Sequence, residues 1–204
     1  ERSLAIRENK LGPEHPEVAT SLNNLGTLLQ AQGDYAGARP LLERSLAIRE
    51  KLLGPDNPDV AKSLNNLAEL LRAQGDYAGA RPLYVRSLAI WESALGPEDP
   101  DVGKGLNNMA GLLYAEGAYA GARPLLERSL AIREKALGPE HRDVATSLNN
   151  LAGLLTAQGD YAGAQPLYER SLAIQEKALS PEYPDVARSL HNLGSVLQKQ
   201  REFG

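Results

Sequence analysis

The chain has 204 residues, 26 acidic against 22 basic side chains for a formal net charge of −4, and no cysteine. That balance gives no basic footprint for nucleic acid, and disulfides, thiolate metal sites and cysteine nucleophiles are excluded. No apolar run approaches the roughly 20 residues needed to span a membrane, no charged start followed by an apolar stretch marks a secretory signal, and the lack of cysteine fits an expected cytoplasmic location.

Along the chain one unit recurs every 42 residues: SLNNLGTLLQAQGDYAGARPLLERSLAIREKLLGPDNPDV from Ser21, then its copies from Ser63, Gly105, Ser147 and Ser189. A fixed period of this size signals a solenoid, in which each unit packs only on its neighbours. The reading is a single array over 1–204: a partial unit 1–15, units at about 16–57, 58–99, 100–141 and 142–183, and a partial unit 184–204. Glu1 stands at the register of Glu43, so residues 1–11 match the back half of a second helix. Phe203 stands at the register of Tyr35 and is expected to open the next second helix.

Each unit reads as two helices. Val18, Leu22, Leu25, Gly26 and Leu29 form one apolar stripe, with Pro16 at the first helical position and His15 as its cap. Asn57 and Asp99 hold the same cap slot, as do His141 and Tyr183. Gly33 ends the first helix, and Asp34, like Asp76 and Asp160, caps the second. Ala38, Leu41, Leu42, Ser45, Leu46, Ile48, Leu52 and Leu53 give that second helix a broad apolar face, closed by Gly54-Pro55. Pro40, Pro82, Pro124 and Pro166 fall inside its first two turns and bend it without breaking it. First helices are expected at about 16–32, 58–74, 100–116, 142–158 and 184–200, and second helices at about 35–53, 77–95, 119–137 and 161–179. The architecture is therefore all-α, a right-handed superhelical solenoid of antiparallel helix pairs.

The residues L-x-x-L-(G/A)-x-L-L followed by G-D-Y-x-x-A resemble the tetratricopeptide repeat, whose standard period is about 34 residues. With its longer unit, its LNNLA, GDYAGARPLLERSLAI and LGPEHPEVA, the chain is similar to the repeats of kinesin light chains and of many bacterial multi-repeat proteins. The resemblance implies that first helices line a concave groove, and that Asn at these positions contributes to peptide binding.

Chemistry is sparse. His15, His141 and His191 have no second ligand at metal spacing and read as caps and surface. Arg39 with Glu43 and Arg123 with Glu127 are solvated i, i+4 pairs. No nucleophile stands near a base and no Gly-rich loop cradles phosphate, so neither an enzyme nor a cofactor nor a metal site is expected.

The recurring pairs Asn23-Asn24, Asn65-Asn66, Asn107-Asn108, Asn149-Asn150 and His191-Asn192 stand out, because asparagine is a poor helix former. Two roles are open for them. As rails flanking the groove they could hydrogen-bond the backbone of an extended peptide. As a ladder they could bond neighbouring helices and fix repeat spacing.

Specificity would reside in slots that vary between copies. Thr20 is replaced by Lys62, Lys104, Thr146 and Arg188; Thr27 by Glu69, Gly111, Gly153 and Ser195; Gln30 by Arg72, Tyr114, Thr156 and Gln198. Lys62, Lys104 and Arg72 favour an acidic protein or peptide, and Tyr114 can stack or hydrogen-bond, although too few basic residues line this face for a carboxylate clamp. Trp91, at the register of Arg49, should face outward or under the next loop, and Gly103 and Gly105 should make the third unit the least stable. Two functions follow: a scaffold binding an extended peptide or partner segment in its groove, or a structural array that associates end to end through Leu4, Ile6 and Leu11 at one end and Leu193 and Leu197 at the other.

Overall fold

The computed structural model describes residues 2–178 and 184–203; position 179 of the last expected second helix and the cap slot at Tyr183 lie outside them. The chain divides into two compact units, Glu1–Pro97 and Glu98–Gly204. The first holds α1 (Arg2–Leu11), α2 (Pro16–Ala31), α3 (Tyr35–Leu53), α4 (Pro58–Ala73) and α5 (Tyr77–Leu95). The second holds α6 (Pro100–Ala115), α7 (Tyr119–Leu137), α8 (Arg142–Ala157), α9 (Tyr161–Ala178) and α10 (Pro184–Phe203). No strand occurs among the described residues.

Helix starts and stops come from the same few residues in each copy. The His15 Nδ1 accepts from the Glu17 N–H at 3.2 Å, the Asn57 Oδ1 from Asp59 at 2.9 Å, the Asp99 Oδ1 from Asp101 at 2.8 Å and the His141 Nδ1 from Asp143 at 3.1 Å. Each satisfies one backbone donor that a helix N-terminus leaves open. At the end of α2 the Asp34 N–H donates to the Leu29 carbonyl at 2.9 Å and the Gly33 N–H to Gln30 at 3.0 Å, with Gly33 at φ +83°. This is a Schellman turn, and it requires the left-handed conformation that glycine adopts without strain. Asp34 then accepts from the Gly37 N–H at 2.9 Å and so opens α3. A Cβ on Gly37 would lie 2.4 Å from the Asp34 carboxylate, so the aspartate cap and the glycine three residues on are one device.

Where the glycine of the Schellman turn is missing, the helix does not stop. Arg201 occupies the register of Gly33, and α10 runs on through Phe203. Phe203 therefore extends a first helix instead of opening a second one. The prolines behave differently: α3, α5, α7 and α9 run continuously past Pro40, Pro82, Pro124 and Pro166.

Pairing is antiparallel, because residues later in α3 meet residues earlier in α2. Gly26 lies against Ala38 and Leu42, the Ser45 hydroxyl donates to the Ala19 carbonyl at 2.7 Å, and Ile48 packs with Val18, Ala19 and Leu22. The buried serine bond recurs from Ser87 to Ala61 at 2.9 Å, Ser129 to Gly103 at 2.7 Å and Ser171 to Ala145 at 2.8 Å. Neighbouring copies then join through side chains such as Leu67 and Leu70 of α4, which pack with Ala38 and Leu42 of α3. Burying one such aliphatic side chain contributes about 1.5–3 kcal/mol, so the repeated Leu, Val and Ile positions supply the main driving force.

One expectation about the second helices is corrected: Leu52 and Leu53 are exposed, because α3 is 19 residues long against 16 for α2 and its last turn overhangs its partner. Of the two positions open to Trp91, outward or under the next loop, its 2 % exposure excludes the first.

Candidate functional site

In the first unit, α2, the start of α3, and α4 enclose a cleft of about 330 Å³ lined by Thr27, Gln30, Ala31, Tyr35, Asn66, Glu69 and Ala73. The period places them there. Thr27 and Glu69 occupy the same slot of successive first helices, as do Ala31 and Ala73, so two outward helix faces meet with matched registers. The small alanines leave the space, and the amides of Gln30 and Asn66, the Glu69 carboxylate and the Thr27 hydroxyl edge it. The Thr27 hydroxyl already donates to its own helix, to the Asn24 carbonyl at 3.0 Å.

The asparagines form a cross-linked series. Asn66 Nδ2 donates to Asn23 Oδ1 at 2.9 Å, Asn150 Nδ2 to Asn107 Oδ1 at 2.9 Å, and Asn192 Nδ2 to Asn149 Oδ1 at 3.4 Å. In each case the second asparagine of one copy reaches the first asparagine of the copy before. Asn23 and Asn65 are buried, Asn66, Asn107, Asn108, Asn149 and Asn150 are partly exposed, and Asn24 is exposed. The two sequence series are thus bonded to each other, and half-exposed members such as Asn66 still present polar atoms to the cleft.

Arg72 departs from its expected role. Its guanidinium is hydrogen-bonded and ion-paired to Glu69, which holds its proton affinity above the ordinary arginine value. The charge the sequence offers to an acidic partner is already met within the chain. Glu69 is also the acceptor for the buried Tyr84 hydroxyl at 2.5 Å. Burial first, and the Glu69 charge second, push the Tyr84 hydroxyl well above the usual tyrosine range. Lys62 is exposed and Lys104 partly exposed.

The second unit differs in character. Tyr114 is exposed, and its ring centroid lies 5.3 Å from that of Tyr119 with the planes tilted by 43°. A Cβ on Gly111 would meet nothing within 4 Å, and one on Gly153 only the Tyr168 hydroxyl at 3.5 Å. Tyr168 is pushed up by burial, offset in part by its hydrogen bond to Thr156.

Sequence reasoning missed one set of residues. Arg49 and Arg133 are buried, and each donates to a serine of the following first helix: Arg49 to Ser63 at 2.8 Å and Arg133 to Ser147 at 2.9 Å. Each also bonds a backbone carbonyl, that of Asp59 at 3.1 Å and of Asp143 at 3.0 Å. Burial lowers both proton affinities, and the neighbouring aspartates offset this. The available signal was the constant 14-residue Arg-to-Ser spacing, visible already in Arg7 and Ser21. Arg39–Glu43 and Arg123–Glu127, at 2.7 and 2.8 Å, are the solvated helix pairs the sequence indicates. Among the described residues no group of three or more His, Cys, Asp or Glu is arranged to hold a metal ion, and no helix is long and apolar enough to cross a membrane.

An all-helical chain of near-identical hairpins in fixed register, bearing an amide-edged cleft between first helices, defines a helical repeat protein. More narrowly, the chain belongs to the tetratricopeptide repeat family, whose model matches residues 1–51, 23–93, 59–135, 101–177 and 143–204. Proteins of this family are generally protein–protein interaction scaffolds and typically not enzymes. The chain is similar to a Podospora anserina protein described as a kinesin light chain with nearly identical TPR-like repeats: 31 % identity, a TM-score of 0.76, 93 % of this chain and 90 % of that one. A glutamine-to-methionine variant of that protein matches equally, with 89 % of its chain covered. BtubC (BKLC) from P. vanneervenii shares the fold at a TM-score of 0.82 and 23 % identity, over 99 % of this chain and 82 % of that one. No curated protein sequence matches the chain.

Proposed function

We propose that the chain binds an extended peptide or partner segment along its first helices, with the α2–α4 cleft as one contact point. The observation that supports this is the cleft itself: about 330 Å³ of open space edged by Gln30, Asn66 and Glu69 over small alanines. An amide offers both a donor and an acceptor, so Gln30 and Asn66 can match a peptide unit without reading its side chain. Because Arg72 and Glu69 neutralise one another, selectivity for acidic side chains falls to Lys62 and Lys104.

The test uses a phage-displayed random peptide library selected on the whole chain. Ala73→Arg fills the cleft from an exposed position near the C-terminal end of α4, where a cation suits the helix. Selected peptides should bind this variant at least tenfold more weakly while its thermal melt is unchanged. Unchanged affinity, or a library that yields no binders, refutes groove binding at this site.

End-to-end association is the second reading. It is favoured by exposed Ile6 and Leu11 on α1 and exposed Leu190 and Leu197 on α10. Light scattering over a wide concentration range should then show a mass that grows with concentration. A constant monomer mass would sink it.

A further inference from the structure

In α1, α3 and α7 an arginine is directed at the first helix of the copy that follows. Arg7 bonds the Ser21 hydroxyl, Arg49 bonds Ser63 and the Asp59 carbonyl, and Arg133 bonds Ser147 and the Asp143 carbonyl. Arg49 also reaches the Thr20 hydroxyl at 3.5 Å, so one guanidinium ties α3 to both α4 and α2. The joint between α9 and α10 lacks this brace. Gln175 stands at the register of Arg133 and Ser189 at that of Ser147. Gln175 is 7 % exposed and Ser189 fully buried, yet Gln175 Oε1 and Ser189 Oγ have no hydrogen-bond partner. A glutamine ends short of where a guanidinium would fork, so the shortened side chain leaves both groups desolvated without compensation.

Val186 and Val196 of α10 are buried and Leu193 is partly so. Gln200 Nε2 donates to the Tyr161 carbonyl at 3.1 Å, and Asn192 Nδ2 reaches Asn149 Oδ1 at 3.4 Å, against 2.9 Å for the same asparagine bond at the α2–α4 and α6–α8 joints.

We propose that the α9–α10 joint is a built-in opening point, at which α10 lifts away while α8 and α9 stay packed together. Elements that open below the global unfolding threshold are those with few apolar contacts and unsatisfied polar groups. Opening uncovers an apolar face made of Ala152, Leu155, Ala164 and Tyr168. The device is independent of what occupies the α2–α4 cleft.

Hydrogen exchange of the whole chain by mass spectrometry tests it, read at the amides around Ser189 and not in the last turn of α10, which frays in any helix. These amides should exchange at least tenfold faster than those around Ser147 in α8. Gln175→Arg should restore the brace and slow α10 about tenfold without changing α8, and Arg133→Gln should speed exchange in α8 while α10 stays fast. Ser189→Ala removes the orphan hydroxyl without adding a brace, so it should slow α10 by less than Gln175→Arg. Equal protection of the two helices in the unaltered chain overturns the proposal. So does a folded Gln175→Arg chain in which α10 exchange is unmoved.

Discussion

Asn66 Nδ2 donates to Asn23 Oδ1 at 2.9 Å across the α2–α4 joint, and Asn150 and Asn107 make the same bond in the second unit, in both cases 43 residues apart. Asn23 is only 3 % exposed, so its carbonyl depends on Asn66 for a partner. The cost of mid-helix asparagines is therefore offset by a bond between copies, and the exposed edge of the Asn66 amide is the part that the proposed groove binding would use.

Asn66→Ala should destabilise the chain by about 1–3 kcal/mol, since it leaves a buried acceptor unsatisfied. Asn24→Ala should change stability by less than about 0.5 kcal/mol, because Asn24 is exposed. Urea unfolding followed by circular dichroism measures both. Equal effects of the two substitutions would show that the ladder does not hold the joint.

The Tyr84 hydroxyl, buried and bonded to Glu69, gives stability a pH dependence. The unfolded tyrosine ionises near pH 10, while the folded one is held well above that. A raised folded value means that the contribution is complete below about pH 10 and is lost as the pH rises further. Thermal melts from pH 9 to 11 should show falling stability, with a shallower fall in Tyr84→Phe. At neutral pH, Glu69→Ala should cost more than Tyr84→Phe, because only the former strands a buried hydroxyl. The reverse order would mean that the bond contributes little.

The fold was largely legible because every helix signal occurs several times: the expected first helix at about 16–32 is found at Pro16–Ala31, and the second, at 35–53, at Tyr35–Leu53. A helical wheel drawn for one hairpin defines inside and outside for that hairpin alone, but in a solenoid the next copy covers part of the outside. The wheel therefore gives no sign that Arg49 is buried against α4. The residues edging the cleft were visible because Thr27, Gln30, Asn66 and Glu69 lie on the face that no later copy covers. The Tyr84–Glu69–Arg72 cluster was not, because it depends on which residues coincide in a single copy, and periodicity averages that away.

The third copy carries a removable defect. Ala118 stands where Asp34, Asp76 and Asp160 cap the other second helices, and α7 has no side-chain cap bond. The glycine that accommodates the cap nevertheless persists as Gly121, and a Cβ there would meet only Leu113 Cδ1, at 3.4 Å. On Gly37 the same Cβ would run into the Asp34 carboxylate. Alanine substitution at equivalent positions should thus have opposite signs: Gly121→Ala should stabilise by up to about 1 kcal/mol through helix propensity, and Gly37→Ala should destabilise. Ala118→Asp should stabilise by about 1 kcal/mol by supplying the missing acceptor to the first turn of α7. Combined with Gly121→Ala, it should lose most of that gain, because the new carboxylate and the new methyl group would compete for the same space. Melting temperatures of the unaltered chain, of Ala118→Asp, of Gly121→Ala and of the double substitution form a cycle that measures this coupling, and strict additivity would show that cap and glycine act independently.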